Sequence, residues 1–404
     1  MNIRTNRTIF LFGLILIILF PFIYKISFEK LKMVSSVFFV DSTTTGELKE
    51  KYNEDKKIKI LLVPGHDSES GGTVFKNIKE SELNLRLSRE LYSFLSSNPR
   101  FEVESSRDDS GYNKNITEYM SINKASIEDF IKSKKNVMQG LLSSGDISIA
   151  EGVIHNTAPE EIAKRLYSIN KWSNENNIDL VIHIHFNDHP GRKINKEGKY
   201  SGFSIYTPEK QFSNAKASRE LADYILKNID HFYSKSNMPK ERLGVIEDQE
   251  LIALGSYNTL DSIGLLIEYG YIYEPQFTES STRNLIIKDM AYQTYLGITD
   301  FFDKKEYLGE YWKSTLLPHS WSDIVESGDK GHDILSLQVA LVLEGFYPPK
   351  KFLSDDCPVT GIYKRCTTEA VKEFQKRYKI TTTGRVGPKT MEKLNQLYSK
   401  VTSD

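Results

Sequence analysis

Hydrophobic and polar positions alternate most tightly at residues 178–187, IDLVIHIHFN, where Leu180, Ile182 and Ile184 interleave with Val181, His183 and His185. A branched apolar run with period two predicts a buried strand. Side chains alternate faces along a strand, so His183 and His185 share one face. His185 falls at the C-terminal end, the edge at which α/β sheets gather ligands. Two further runs have the same character. KIKILLV at 57–63 ends in Pro64-Gly65 and is followed at once by His66; SIGLLIE at 262–268 ends in Glu268. Residues 101–105 add another strand, with Arg107 just beyond it. Between these runs the apolar spacing lengthens to that of a helix. Leu83, Leu87, Leu91 and Leu95 mark a helix over 78–95 with Glu80 near its start. Ile162, Leu166 and Ile169 mark one over 160–176, Ala217, Leu221, Ile225 and Ile229 one over 212–232, and a last helix spans 277–302. Strands alternating with helices predict an α/β fold with a mostly parallel sheet flanked by helices. From residue 328 to 397 the pattern changes to three short helices, the middle one reading TTEAVKEFQKRY.

The N-terminus changes the picture of location. Arg4 and Arg7 precede the uncharged run 9–24, IFLFGLILIILFPFIY, which has the form of an export signal. It is short of the roughly 20 residues that a spanning helix needs, and no small-residue cleavage site follows closely. An uncleaved signal anchor and a cleaved signal peptide over 1–24 both stay open, and either puts the remainder outside the cytoplasm. Residues 25–55 are mixed and polar and read as a stalk. At 404 residues, about two or three domains are expected. Lys and Arg number 53 against 54 Asp and Glu, a balance that argues against a nucleic-acid partner held by a basic surface. The only cysteines are Cys357 and Cys366. Any metal must therefore use histidine and carboxylate ligands, and the two thiols are free to pair in an oxidising compartment.

Each candidate site residue has an ordinary explanation on its own. A strand histidine is usually satisfied inside the core, a carboxylate at a helix start is favoured by the helix dipole, and a buried glutamate is often salt-bridged. Together, His66, His185 and Glu268 at strand ends and Glu80 at a helix start outweigh those separate explanations. The stretches Pro64-Gly65-His66, Glu80 leading Leu-Asn-Leu, Ser105-Ser106-Arg107, His185-Phe186-Asn187, Gly202–Tyr206 and LLIEYGY at 265–271 resemble the zinc-dependent N-acetylmuramoyl-L-alanine amidases. The likeness runs from about residue 56 to 303. It implies that His66, Glu80 and His185 hold Zn2+ and that Glu268 is catalytic. Arg107 is a candidate substrate contact, and Asn187 is a candidate either to hold substrate or to orient the groups around the ligands. His₂Glu is a known catalytic zinc set, and amide hydrolysis needs a further carboxylate to move the proton.

There are departures. Asp67 stands where that family usually has glycine, His183 where it has a small polar residue, and Phe186 replaces another small residue. Residues 108–159 form a long insertion, with helix-like patches around 122–138, that reads equally as a lid and as a surface excursion. The C-terminal segment, through its Leu337-Gln338 pair, the AVKEFQ helix and the TGRVGPKT turn, resembles the peptidoglycan-binding domain family.

The resulting expectation is a cell-wall hydrolase that cleaves the amide between N-acetylmuramic acid and L-alanine, with peptidoglycan and the membrane as partners and any activator protein left open. The alternatives are a zinc peptidase cutting another peptidoglycan amide and an inactive wall-binding scaffold. The expected divisions are a signal segment at 1–24, a stalk at 25–55, a catalytic domain at 56–305, a linker at 306–326 and a peptidoglycan-binding domain at 327–400.

Overall fold

The computed structural model describes residues 44–67, 71–150, 158–189, 191–303 and 313–399. Its strands are β1 (Ile58–Pro64), β2 (Phe101–Ser105), β3 (Leu180–Asn187), β4 (Ser204–Pro208), β5 (Val245–Asp248) and β6 (Ile263–Tyr271). They form one sheet in the order β2-β1-β3-β6-β4-β5. The first four in that order run parallel, β4 is antiparallel to β6, and β5 is parallel to β4. The fold is thus α/β with a mostly parallel sheet, as the alternation of patterns predicts. From β1 the chain first moves outward to β2 and then crosses to β3 on the opposite side. The C-terminal ends of β1 and β3 therefore flank the point where the order reverses, the usual place for a ligand crevice.

Period two sorts the β3 side chains onto two faces. Leu180, Ile182, Ile184 and Phe186 are buried in the main core. That core receives α2 (Glu80–Ser96), α6 (Ala215–Asp230) and α7 (Ser280–Phe302). The leucine stripe of α2 points into it at Leu83, Leu87, Leu91 and Leu95, each burial stabilising by roughly 1.5–3 kcal/mol. On the other face Val181 joins Leu61 and Val63 against Ile116 of α3 (Lys114–Ile122) and Ile169 and Trp172 of α5 (Glu160–Glu175). This second face carries His183 and His185.

The insertion lies on the histidine face. A hairpin pairs Arg107–Asp108 with Gly111–Tyr112, and α3 follows. The chain turns at Asn123 into α4 (Lys124–Ser144). Met138, Leu141 and Ile147 pack on Phe212 and Ala215. The segment is built into the domain rather than projecting from it.

Two expected spacers prove to be packed. Residues 45–53, expected as the end of a stalk, form α1 (Thr45–Asn53) behind a Thr44/Glu47 capping box. Its Leu48 and Tyr52 are buried, and Tyr52 stacks on Phe302 at 4.9 Å. A nine-residue helix with two buried positions leaves too little periodicity to read. Residues 313–326, expected as linker, bury Leu316, Trp321 and Val325. Ser314 donates to Asp289 of α7 at 2.7 Å. Residues 1–24 and most of the expected stalk lie outside the described residues, and among those described no helix is long and apolar enough to cross a membrane.

The C-terminal module is α8 (His332–Leu343), α9 (Arg365–Arg377) and α10 (Pro388–Tyr398). Two buried glutamines organise it. Gln338 accepts from the amides of Thr360 and Gly361 at 2.9 and 2.8 Å, and its amide donates to Ile362 O. Gln375 accepts from Thr383 and Gly384 at 2.8 and 2.9 Å and donates to Arg385 O. Each glutamine thus satisfies one Thr-Gly turn, which accounts for the pairing of LQ and EFQ with TGIY and TGRV. Cys357 and Cys366 are disulfide-bonded.

Candidate active site

His66 follows β1 after one residue, Gly65. Gly65 N–H donates to Ile184 O at 2.9 Å, extending the β1–β3 ladder by one bond before the chain turns. Glu80 is the first residue of α2, where the free amides of the helix start favour a carboxylate. Thr73 N–H donates to its Oε2 at 3.0 Å. His185 lies near the end of β3 and is the register partner of Glu268 on β6. Paired residues on adjacent strands present side chains to the same face.

These elements bring three ligand types together. His66 Nε2 lies 3.2 Å and His185 Nδ1 3.1 Å from the same oxygen, Glu80 Oε1. One ligand atom from each of the three residues falls within 4.8 Å of the other two. Two glycines frame the group. A Cβ on Gly65 would lie 2.1 Å from the His185 ring, and one on Gly72 would lie 2.4 Å from Glu80 Oε2. Only glycine admits such approaches. Burial on its own pushes the Glu80 carboxyl up, but its hydrogen bonds with His185 and His66 outweigh that and hold it well below the usual range. Burial lowers the His185 pKa, against the opposing pull of Glu80. An ionised carboxylate and a neutral imidazole are the forms that bind a divalent cation. The His₂Glu set, its burial and its glycine frame fit zinc.

Glu268 is half-buried, and its Oε2 is sealed from solvent with no hydrogen-bond partner among the described residues. Burial first, then the charges of Glu80 and Glu241, raise its pKa well above the usual carboxylate range. His183 Nε2 is likewise buried and unpartnered, and burial lowers its pKa to about 3. A cavity of about 610 Å³ opens beside this face. His66, His183 and His185 line one side, and Met138 and Leu142 of the insertion line the other.

The two expected substrate contacts have other occupations. Arg107 is buried, and its guanidinium donates to three carbonyls: Pro64 at 2.9 Å, Gly65 at 3.0 Å and Ser81 at 2.9 Å. It holds the His66 turn against α2 instead of facing the cavity. Asn187 Nδ2 donates to Glu241 Oε1 at 3.3 Å, and its side-chain Oδ1 accepts from Asp188 N–H at 2.8 Å. His189 is half-buried and stacks on Tyr200 at 4.9 Å.

Three site residues escape the sequence reading. Glu241 is buried and accepts from Tyr206 at 2.6 Å and Tyr271 at 3.1 Å; its polar surroundings, KERLG, carry no periodic signal. Asn84 donates to Gly65 O at 2.9 Å and sits four residues after Glu80. That i, i+4 spacing on an otherwise leucine-lined helix is a readable signal. Arg165 on α5 pairs with Asp67.

Comparison with known proteins completes the picture. A family model described as N-acetylmuramoyl-L-alanine amidase matches residues 60–300, and one described as a peptidoglycan binding domain matches residues 330–394. No curated protein matches the chain. Among solved structures, the CwlD amidase from Clostridioides difficile, in complex with the GerS lipoprotein, is similar at 17% identity over 61% of this chain and 98% of that one, with a TM-score of 0.40. An N-acetylmuramoyl-L-alanine amidase from Clostridium difficile 630 is similar at 18% identity over 62% and 98%, TM-score 0.38. Ami1 from Mycobacterium smegmatis is similar at 13% identity over 61% and 96%, TM-score 0.38.

Proposed function

The chain belongs to the N-acetylmuramoyl-L-alanine amidase family and hydrolyses a peptidoglycan amide outside the cytoplasm, and from that premise we propose that it does so as a zinc enzyme, with His66, Glu80 and His185 as ligands and Glu268 as the proton carrier. The observation that carries this reading is the approach of both imidazoles to one oxygen of a buried carboxylate. When bound, zinc would supply a Lewis acid that polarises the scissile carbonyl and acidifies water. Glu268 takes the proton from the attacking water. It then delivers that proton to the departing L-alanine nitrogen, so the carboxylate is regenerated. A raised pKa makes the Glu268 carboxylate a stronger base toward water, and the acid so formed still donates readily to the far more basic amine nitrogen that departs. Arg107 and Asn84 keep the Pro64-Gly65 carbonyls in place, so the imidazole of His66 starts from a set backbone.

The C-terminal module binds peptidoglycan, which keeps the hydrolase at an insoluble substrate. In our reading 1–24 exports or anchors the chain, the catalytic unit extends from α1 to about residue 305, and 313–326 belongs with the module. The Cys357–Cys366 bond accords with an oxidising compartment.

One digestion tests the proposal. Purified peptidoglycan is treated with the enzyme, with and without a chelator, and the fragments are read by mass spectrometry. The expected products are glycans with intact lactyl groups and free peptides beginning with L-alanine, formed only while metal is present and recovered on adding Zn2+. Undiminished release under chelation would remove zinc from the mechanism. Cuts within the stem or cross-link would point to the peptidase alternative.

A further inference from the structure

We infer that Arg165 is a positioning residue for the metal site, acting through Asp67 on the backbone of His66. The inference rests on the ligand assignment proposed above. His66 has φ +59°, in the left-handed region that a residue with a Cβ enters at a cost. Its neighbours must therefore hold it there. On its N-terminal side, Arg107 and Asn84 bind the carbonyls of Pro64 and Gly65. On its C-terminal side, Asp67 is 8% exposed, and its carboxylate pairs with the guanidinium of Arg165, which reaches across from α5. The same guanidinium lies over the ring of Tyr112 at 4.8 Å, in the hairpin that opens the insertion.

His66 is thus harnessed on both sides by arginines from different elements. Arg107 comes from beyond β2, and Arg165 comes from the helix that follows the insertion. A planar guanidinium fixes a carboxylate in direction as well as distance, and a stacked ring fixes the guanidinium. The arrangement belongs to this chain, since it depends on an aspartate at position 67. Releasing Arg165 lets the turn relax toward ordinary backbone angles. The fraction of molecules with the His66 imidazole in ligating position then falls, and apparent metal affinity falls with it.

The test is a zinc competition titration against a chromophoric chelator on the purified full chain, with thermal unfolding of the metal-free protein as the folding control. Arg165→Gln is expected to weaken zinc binding by about 10-fold or more, the size typical of losing a partner that orients a ligand. Arg165→Lys, which keeps the charge and loses the fork, should fall between that variant and the parent. Asp67→Asn combined with Arg165→Gln should be no weaker than the worse single variant, because both act through one contact. Bound Co2+ should show altered visible bands in Arg165→Gln. Unchanged zinc affinity in Arg165→Gln overturns the inference; if that variant does not fold, unchanged affinity in Arg165→Lys does so. A parent chain that binds no zinc overturns the ligand assignment itself, and this inference with it.

Discussion

The catalytic half and the C-terminal module treat buried polar groups in opposite ways. In the module, Gln338 and Gln375 are almost wholly buried, and each ties down a turn through several hydrogen bonds. Among the described residues no buried side-chain polar atom of the module lacks a partner. In the catalytic half several buried polar atoms are unpartnered among the described residues: Glu268 Oε2, His183 Nε2, Asn84 Oδ1 and Ser204 Oγ belong to residues at or beside the ligand cluster, while others, such as Ser173 Oγ on α5 and Gln293 Oε1 on α7, lie on the flanking helices. Leaving such an atom unsatisfied costs about 1–3 kcal/mol, more when it is charged. The module uses its polar groups to stabilise a shape. The catalytic half keeps some of them uncommitted, where a substrate, a water or an ion can engage them.

That contrast breaks most sharply at Glu268. Glu268→Gln keeps the shape and removes the proton carrier. Hydrolysis should fall by about 10³-fold, while metal analysis still finds zinc and the melting temperature stays close to that of the parent. Full activity in this variant would take Glu268 out of the mechanism.

On the module side the expected effect is structural and smaller. Gln375→Ala strands the amides of Thr383 and Gly384 and should destabilise the module by about 2–3 kcal/mol. Binding to purified sacculi should weaken, while hydrolysis of a soluble muropeptide continues at the parent rate. Loss of soluble activity would mean that the module supports the site and does not merely deliver it.

The finest test concerns the charge around Glu268. Glu241 is among the causes of its raised pKa. Replacing Glu241 with Gln removes a negative neighbour, which favours the ionised form of Glu268 and lowers its pKa. The base is then ready at lower pH, so the acid limb of the kcat/KM profile should move to lower pH. A shift the other way, or none, would separate Glu241 from the proton carrier and leave it as a prop for Tyr206 and Tyr271.

Much of this was legible in one dimension because it depends on period. Alternation along 178–187 put His183 and His185 on one face, and β3 shows that arrangement. The i, i+4 leucines of α2 and the position of Glu80 at its start read directly as well. The carbonyl partners of Arg107 were not legible, because an arginine after a strand looks the same whether it faces a ligand or a set of backbone carbonyls. Asn187 was ambiguous for the same reason. The spacers at 45–53 and 313–326 were misread because two or three buried residues scattered among polar ones give no repeat. Glu241 and Arg165 left no trace at all, since each finds its partners only across long gaps in the chain.

The order of residues by itself determined which segments become strands and helices, which of their faces are apolar, and that four chemically apt side chains stand at element ends. These are local matters, settled by side-chain periodicity and backbone preference within a few residues. Only the folded chain decided that both imidazoles meet one carboxylate oxygen, that the insertion walls the cavity beside them, and that two arginines brace His66. Those outcomes depend on strand order, register and helix packing, which join residues distant in sequence and leave no mark on the spacing of any one segment.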